Sequence, residues 1–257
     1  EEKKMNRKKA IVTGAGTGIG QGVAIALAKA GYDVAIHYHS SAEGAEQTVR
    51  EIERCGARGY AIRADLSEKE QIDRLFSQAL EQLGGLDLFV NNSGVTMKTE
   101  FPKTTQEQFD FLCGIDFKAA YFCVQAAANA MIARNTHGSI VIITSNNAFQ
   151  TRPDLSLYGS MKAALVKLGR HAAAELARYQ IRVNTIAPGW TATPRTCRCD
   201  MEQITAQIPL KRWAQPEEIG GIVLFYASDA AASITGNCIT VDGGATLVDD
   251  ELSKYGL

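Results

Sequence analysis

Seven short apolar runs, many of them β-branched, recur along this chain, and segments with helical spacing separate them. The runs are residues 9–13 (KAIVT), 34–38 (VAIHY), 59–63 (GYAIR), 86–90 (LDLFV), 139–144 (SIVIIT), 181–186 (IRVNTI) and 237–241 (NCITV). A helix between two strands is long enough to carry the chain back across a sheet, so successive strands pair in parallel rather than as hairpins. Residues 69–83 show the helical pattern clearly: Ile72, Leu75, Phe76, Ala79, Leu80 and Leu83 lie on one stripe, and Gly84 and Gly85 stop it. Helices are also expected after Gly20 (closed by Gly31), over 42–55 (closed by Gly56), over 109–133 and over 157–179. Pro216, followed by Glu217 and Glu218, opens another. The run 139–144 is apolar throughout, as a strand covered on both faces must be. The expected fold is α/β: a single-domain, Rossmann-type doubly wound parallel sheet with helices on both faces. It is expected to span 9–248. Residues 1–8 form a flexible N-terminal segment, and 249–257 form a tail that either reaches a neighbouring subunit or is disordered.

The first strand runs straight into Gly14, Gly16, Gly18 and Gly20. Glycine accepts left-handed backbone angles and lets a main chain approach a pyrophosphate at a helix N-terminus. Strand, glycine turn and helix in that order form the context in which such a motif binds a dinucleotide; the alternative is a plain tight turn. Further along, Tyr158 and Lys162 are four residues apart in a helical segment, so they share a face. A lysine cation beside a phenol favours the phenolate, which a tyrosine needs in order to move protons near neutral pH. On its own the pair reads as an exposed Tyr and Lys on an ordinary amphipathic helix, since this spacing is common by accident.

Together these motifs change the reading. In order they are Thr13-Gly14-x-x-x-Gly18-Ile19-Gly20, Asp65 after the third strand, Asn91-Asn92-Ser93-Gly94, Ser145, Tyr158-x-x-x-Lys162, Pro188-Gly189 and Asp242-Gly243-Gly244. From about residue 8 to 247 the chain resembles the classical short-chain dehydrogenases/reductases, most closely the glucose 1-dehydrogenase and 3-oxoacyl-carrier-protein reductase branches. The resemblance implies an NAD(P)-dependent enzyme that moves hydride between nicotinamide and a carbonyl or secondary alcohol. It implies Tyr158 as general acid–base, Lys162 as its electrostatic partner and ribose ligand, and Ser145 as the hydrogen-bond partner of the substrate oxygen. Thr144 is the rival hydroxyl should the register slip by one. Asp116 stands where many members carry an asparagine that helps hold a water linking the lysine to solvent. A working relay is expected, with a changed pH profile. Cofactor contacts are implied at Gly14, Thr17, Gly18, Ile19, Gly20, Tyr38, His39, Ser40, Asp65, Leu66, Asn92, Ser93, Gly94, Tyr158, Lys162, Pro188, Gly189 and Thr193.

The second strand ends without a carboxylate: Tyr38, His39 and Ser40 follow, and the next acid is Glu43. A carboxylate there would hold a ribose diol and repel a 2′-phosphate. NADP is therefore the favoured cofactor and NAD the alternative. No arginine lies in the glycine loop or in this turn, so the phosphate grip is expected to be modest.

Residues 190–213 are expected to form a substrate lid, with Trp190, Met201, Ile204, Ile208, Leu210 and Trp213 as an apolar wall. Asn147, Phe149, Gln150, Arg152 and Leu155 lie between Ser145 and Tyr158, where some face the substrate. Phe149 and Trp190 suit a ring; Asn147, Gln150 and Arg152 suit a sugar. Competing readings are sugar oxidation, an epimerase, dehydratase or dehalogenase on the same fold, and a dinucleotide-binding regulator without turnover. Small residues at 126–128, 130, 163 and 172–174 are expected on outer helix faces, as in relatives that form a homotetramer.

Other classes are disfavoured. Lys and Arg total 27 against 28 Asp and Glu, so no polyanion surface and no nucleic-acid partner are expected. No run is expected to cross a membrane. The charged start lacks a secretory core. Six scattered cysteines point to a reduced, cytoplasmic protein. Cys197-Arg-Cys199 does not match structural zinc spacings, so no metal is expected.

Overall fold

The computed structural model describes residues 7–196 and 200–247. Its centre is a parallel seven-stranded sheet in the order β3-β2-β1-β4-β5-β6-β7. The strands are β1 (Lys8–Val12), β2 (Tyr32–Tyr38), β3 (Gly59–Arg63), β4 (Leu88–Asn91), β5 (Ser139–Ile143), β6 (Arg182–Pro188) and β7 (Cys238–Val241). The doubly wound expectation holds. Side chains alternate across the sheet with the strand period of two. Ala10, Val12, Val34, Ile36, Val141 and Ile143 face one layer, made of α1 (Gly18–Lys29), α2 (Ala42–Arg54) and α7 (Pro216–Ala227). Ile11, Ala35, Ile140 and Ile142 face the other, made of α3 (Lys69–Leu83), α5 (Ala119–Ala133) and α6 (Ser156–Leu176). Both cores are needed because every central strand is buried on both sides, which is why these runs read as continuous apolar stretches.

Several expectations need adjustment. β6 runs on through Pro188 rather than breaking before it. Thr144 N–H already makes the last bond on the β5 side, to Ile186 O, and the β7 side is continued by Gly189 N–H to Val241 O, so the missing proline N–H removes no ladder bond. The segment expected as one helix over 109–133 begins earlier, at α4 (Gln106–Leu112). There Thr105 and Gln108 form a reciprocal capping box. It then passes through a π-helical turn at Cys113–Lys118 into α5. By length and composition alone this continuous stretch, Gln106–Ala133, could cross a membrane, a test that the core helix of a folded protein also passes. Its apolar face is instead occupied: Leu112, Ala119, Ala120, Cys123, Val124, Ala127 and Met131 are buried within the protein.

Another concerns the small residues. Ala127, Ala128, Ala130 and Ala173 are buried; Ala163 and Ala174 are exposed. Small residues here also let helices approach the sheet. A Cβ added at Gly169 of α6 would lie 2.6 Å from Thr185 Cγ2 of β6. The first strand begins at Lys8, inside the segment expected to be flexible, whereas residues 1–6, the 249–257 tail, Cys197 and Cys199 lie outside the described residues.

Candidate active site

Between β1 and β4 the strand order reverses: the chain leaves β1 for β2 and β3 on one side and returns to β4 on the other. Loops at the carboxyl ends therefore diverge and leave a crevice. Hydrogen bonds close its base. Thr13 Oγ1 accepts from the N–H groups of Asn92 (2.9 Å) and Ser93 (3.1 Å). Asn92 Nδ2 donates back to the carbonyls of Thr13 and Gly14, both at 3.0 Å. A cleft of about 1140 Å³ opens above.

One end of the cleft is the glycine turn. Gly14 and Gly18 have φ of +64° and +61°, left-handed angles that disfavour any side chain. Thr17 precedes α1 without a side-chain cap, and no acidic residue sits in the first turn. The helix thus presents uncapped N–H groups and its positive pole to the cleft, which fits a pyrophosphate. Gly20 does not line the cleft. A Cβ there would be 2.4 Å from Gly14 O and 2.5 Å from Asn92 Nδ2, so it serves the packing of α1 against the turn.

Tyr38, His39 and Ser40 line the same end, with Asp65 and Leu66 opposite. The Asp65 carboxylate accepts from the Ser67 hydroxyl and N–H, which hold it below its ordinary range. The register of β2 on β3 pairs Tyr38 with Arg63. Arg63 Nε donates to His39 O at 3.1 Å, so a guanidinium does stand beside this turn, from the neighbouring strand.

His37 was missed in the sequence, where it reads as one polar residue in an apolar strand. It is 3% exposed. Its Nδ1 accepts from Gly14 N–H at 3.1 Å, so the ring proton sits on Nε2 and is donated to Ala64 O at 3.0 Å. Ser93 Oγ is 3.3 Å from Nδ1. A neutral imidazole thus ties β1, β3 and β4 together beneath the glycine turn, and burial pulls its pKa down to about 4.

The other end of the cleft carries Ser145, Tyr158 and Lys162. Thr144 Oγ1 donates to Lys162 O at 2.6 Å, which removes it as the rival of Ser145. Ser145 Oγ accepts from Asn147 N–H (3.2 Å) and Asn147 Nδ2 (3.3 Å). With both lone pairs engaged, the hydroxyl proton is left to point elsewhere. Tyr158 lies in the first turn of α6, where the helix pole favours negative charge. Lys162 Nζ sits 5.4 Å from the centre of its ring.

Asp116 lies beneath the cleft and does not line it. It projects inward from the π-helical turn and is fully buried. Its Oδ1 accepts from Val95 N–H at 2.7 Å, and its Oδ2 is 3.0 Å from Lys162 Nζ. Gly94 completes this corner: a Cβ on it would come within 2.8 Å of Lys162 Nζ.

Pro188, Gly189 and Thr193 line the cleft roof. Thr193 and Thr196 knit the loop with mutual bonds, and Thr196 Oγ1 donates to Thr191 O at 2.6 Å. The lid differs from the apolar wall expected. Of the six residues named for it only Trp190 lines the cleft. Ile208 and Trp213 are buried away from the cleft, Ile208 beside Gly243 and Trp213 against Trp190 at 5.2 Å. Met201 and Leu210 are exposed. Phe149, expected near substrate, is 56% exposed and outside the cleft, whereas Asn147, Gln150, Arg152 and Leu155 line it. No cluster suited to a metal ion occurs among the described residues.

Residues 14–246 match the family described as enoyl-(acyl carrier protein) reductase. The 3-oxoacyl-(acyl-carrier-protein) reductase FabG of Staphylococcus aureus is 36% identical over 240 residues, 92% of this chain and 97% of its own. A short-chain type dehydrogenase/reductase from Mycobacterium marinum superimposes with a TM-score of 0.89 at 33% identity, over 94% of this chain and 96% of that one. The acetoin dehydrogenase of Enterobacter cloacae gives 0.89 at 35% identity, over 95% and 98%.

Neutral His37 gives a testable pH dependence. Its folded pKa lies below the unfolded value of about 6.5, so its stabilising effect is complete above pH 6.5 and is lost as pH falls towards 4. Urea unfolding between those limits is expected to show a loss of about 3 kcal/mol from this residue. His37→Gln should lack that component; an identical slope in the variant would contradict the assignment.

Proposed function

The chain belongs to the short-chain dehydrogenase/reductase family and is a nicotinamide-dependent oxidoreductase of carbonyl and alcohol groups; we propose that it works with NADP(H) and that Tyr158 passes the proton. The observation that carries the reading is the meeting of Ser145, Tyr158 and Lys162 in the cleft that begins at the glycine turn. The nicotinamide, when bound, supplies or accepts the hydride.

The protein's own groups do the rest. Gly14, Thr17, Gly18 and Ile19 hold the pyrophosphate at the α1 pole, with Gly20 supporting the turn. Asp65 and Leu66 flank the adenine. Asn92, Ser93 and Gly94 form the side wall, and Pro188, Gly189 and Thr193 the cover. Ser145, its acceptor capacity taken by Asn147, donates to the substrate oxygen and orients the carbonyl. Tyr158 gives its proton to that oxygen in reduction and takes it in oxidation. The Lys162 cation and the α6 pole stabilise the phenolate left behind. Lys162 also reaches the nicotinamide ribose.

Tyr38, His39 and Ser40 accommodate the 2′-phosphate, and Arg63 adds a cation beside them. The lack of a carboxylate at the end of β2 supports NADP over NAD. A regulator without turnover is not favoured, because nothing in the proton-transfer set is lost. We further place the protein in the cytoplasm, in keeping with the free Cys55, Cys113, Cys123 and Cys238. Assembly as a homotetramer is proposed through the outer faces of α5 and α6, where Tyr121, Gln125, Ala163 and Ala174 are exposed.

Two measurements test this. NADPH oxidation against ketones, sugar lactones and 3-oxoacyl thioesters should exceed NADH oxidation at equal concentration. Tyr158→Phe should lower kcat about 10²- to 10⁴-fold with cofactor affinity retained. Equal rates with NADH would overturn the cofactor assignment, and an active Tyr158→Phe would overturn the proton role.

Asp116 acts through Lys162 and is a positioning residue. Asp116→Asn keeps the shape and the Val95 bond but removes the charge that balances Lys162. Its pH–rate profile for alcohol oxidation should move to lower pH, because the ammonium then acts on Tyr158 unopposed. Asp116→Ala should lose activity about tenfold or more through a misplaced Lys162, since a misplacement of about 1 Å at a reacting centre can cost on the order of 10²-fold. A profile unchanged in Asp116→Asn would refute the coupling.

A further inference from the structure

Several arginines of this molecule that are part-buried or sit beside an acid are held by a partner, whereas Arg152, which faces the cleft, has none for its outer nitrogens among the described residues. Arg58 meets the Asp33 carboxylate at 2.7 Å, Arg212 meets Glu218 at 2.8 Å, and Arg182 gives Nη1 to Tyr226 O at 2.6 Å. Arg152 is half-buried in the cleft lining, and no carboxylate lies within ion-pair distance of it among the described residues. Burial lowers its pKa with no carboxylate acting against it, while Glu218 raises that of Arg212. A guanidinium nevertheless stays charged, and a half-buried charge without a partner is costly.

Its position is built rather than accidental. Arg152 Nε donates to Gln150 Oε1 at 3.3 Å, and Gln150 Nε2 in turn reaches Ala245 O at 3.5 Å. The guanidinium lies 5.7 Å from the centre of the Trp190 ring, so an aromatic face holds it. Neither Nη is engaged by a hydrogen bond among the described residues. These two nitrogens form the half of the fork that binds a carboxylate or phosphate. Arg152 stands between Ser145 and Tyr158 in the sequence, in the loop that leads into α6, and all three line one cleft. Lys98 and Arg195 add positive charge to the same lining. Among the described residues lining that end, Asp110, on the exposed side of α4, is the one acid, with Gln106 Nε2 3.4 Å from its Oδ2.

Resting on the oxidoreductase reading above, we propose that the substrate is an anion: a carbonyl or hydroxy compound whose carboxylate or phosphate is gripped by Arg152, while Ser145 and Tyr158 take its reacting oxygen. Trp190 supports the guanidinium and offers an apolar face to the carbon skeleton between the two ends.

The test is calorimetric titration of the protein–NADP⁺ complex with benzoate, phenyl phosphate and the neutral isostere benzamide. The bound cofactor fills the 2′-phosphate pocket, so the anions report on the substrate end. At least one anion is expected to bind ten-fold or more tightly than benzamide, and the tighter of the two identifies the group. Arg152→Gln should remove that preference and leave benzamide binding unchanged; Arg152→Lys should retain part of it. Equal affinities for anion and amide in the wild type, a preference undiminished in Arg152→Gln, or no binding of either anion would overturn the proposal. Failure to take up NADP⁺ is a separate result that counts against the cofactor reading, and the same titration on the free protein then decides the anion question.

Discussion

The parting of β1 and β4 is the constraint on which the rest of the site depends. A parallel sheet wound in both directions from β1 must have one place where adjacent strands send their chains opposite ways, and only there is a crevice left open at the carboxyl edge. The two strand ends cannot be left to splay. Asn92 and Ser93 make four hydrogen bonds across the gap to Thr13 and Gly14, and neutral His37 fastens the turn above to β3. Each such bond contributes on the order of 1 kcal/mol in net terms, whereas leaving one of these buried groups unpaired costs more. The network therefore acts less as a source of stability than as a condition on geometry. It holds the glycine turn where the α1 pole meets the cleft.

The buried pair Lys162–Asp116 obeys a similar logic. Taking both ions out of water costs several kcal/mol each, so the pair is a poor device for stability. Its use is to keep an ammonium fixed beneath a phenol. The π-helical turn between α4 and α5 makes this possible, because the extra residue per turn swings Asp116 inward. An asparagine at that position could bond Val95 N–H but could not balance the lysine charge. The substitution is therefore a difference in electrostatics rather than in shape.

Much of this was legible in the sequence because it rests on short spacings. The glycine turn, the Tyr158–Lys162 repeat and the alternation of strands and helices are each set by a local period. Ser145 was legible as well, and the structure separates it from Thr144 only through the bond of the latter to Lys162 O. What escaped depends on register or on tertiary packing. Arg63 reaches His39 because β2 and β3 pair at a given offset. His37 looks like a flaw in an apolar run until Gly14 N–H and Ala64 O are placed at either side of it. The lid was misjudged for a related reason. Composition shows that Ile208 and Trp213 will be buried but not against what; Trp213 packs on Trp190 and Ile208 beside Gly243, and neither walls the cleft. The same ambiguity put Ala127 and Ala173 on the outside when they face the core.

The central claim is that the crevice at the strand reversal holds the dinucleotide. Hydrogen–deuterium exchange with and without NADP⁺ tests it most directly. Added protection is expected in four segments: 14–20, 37–41, 92–95 and 188–196. Protection confined to other parts of the chain, or none at the glycine turn and at 92–95, would contradict it.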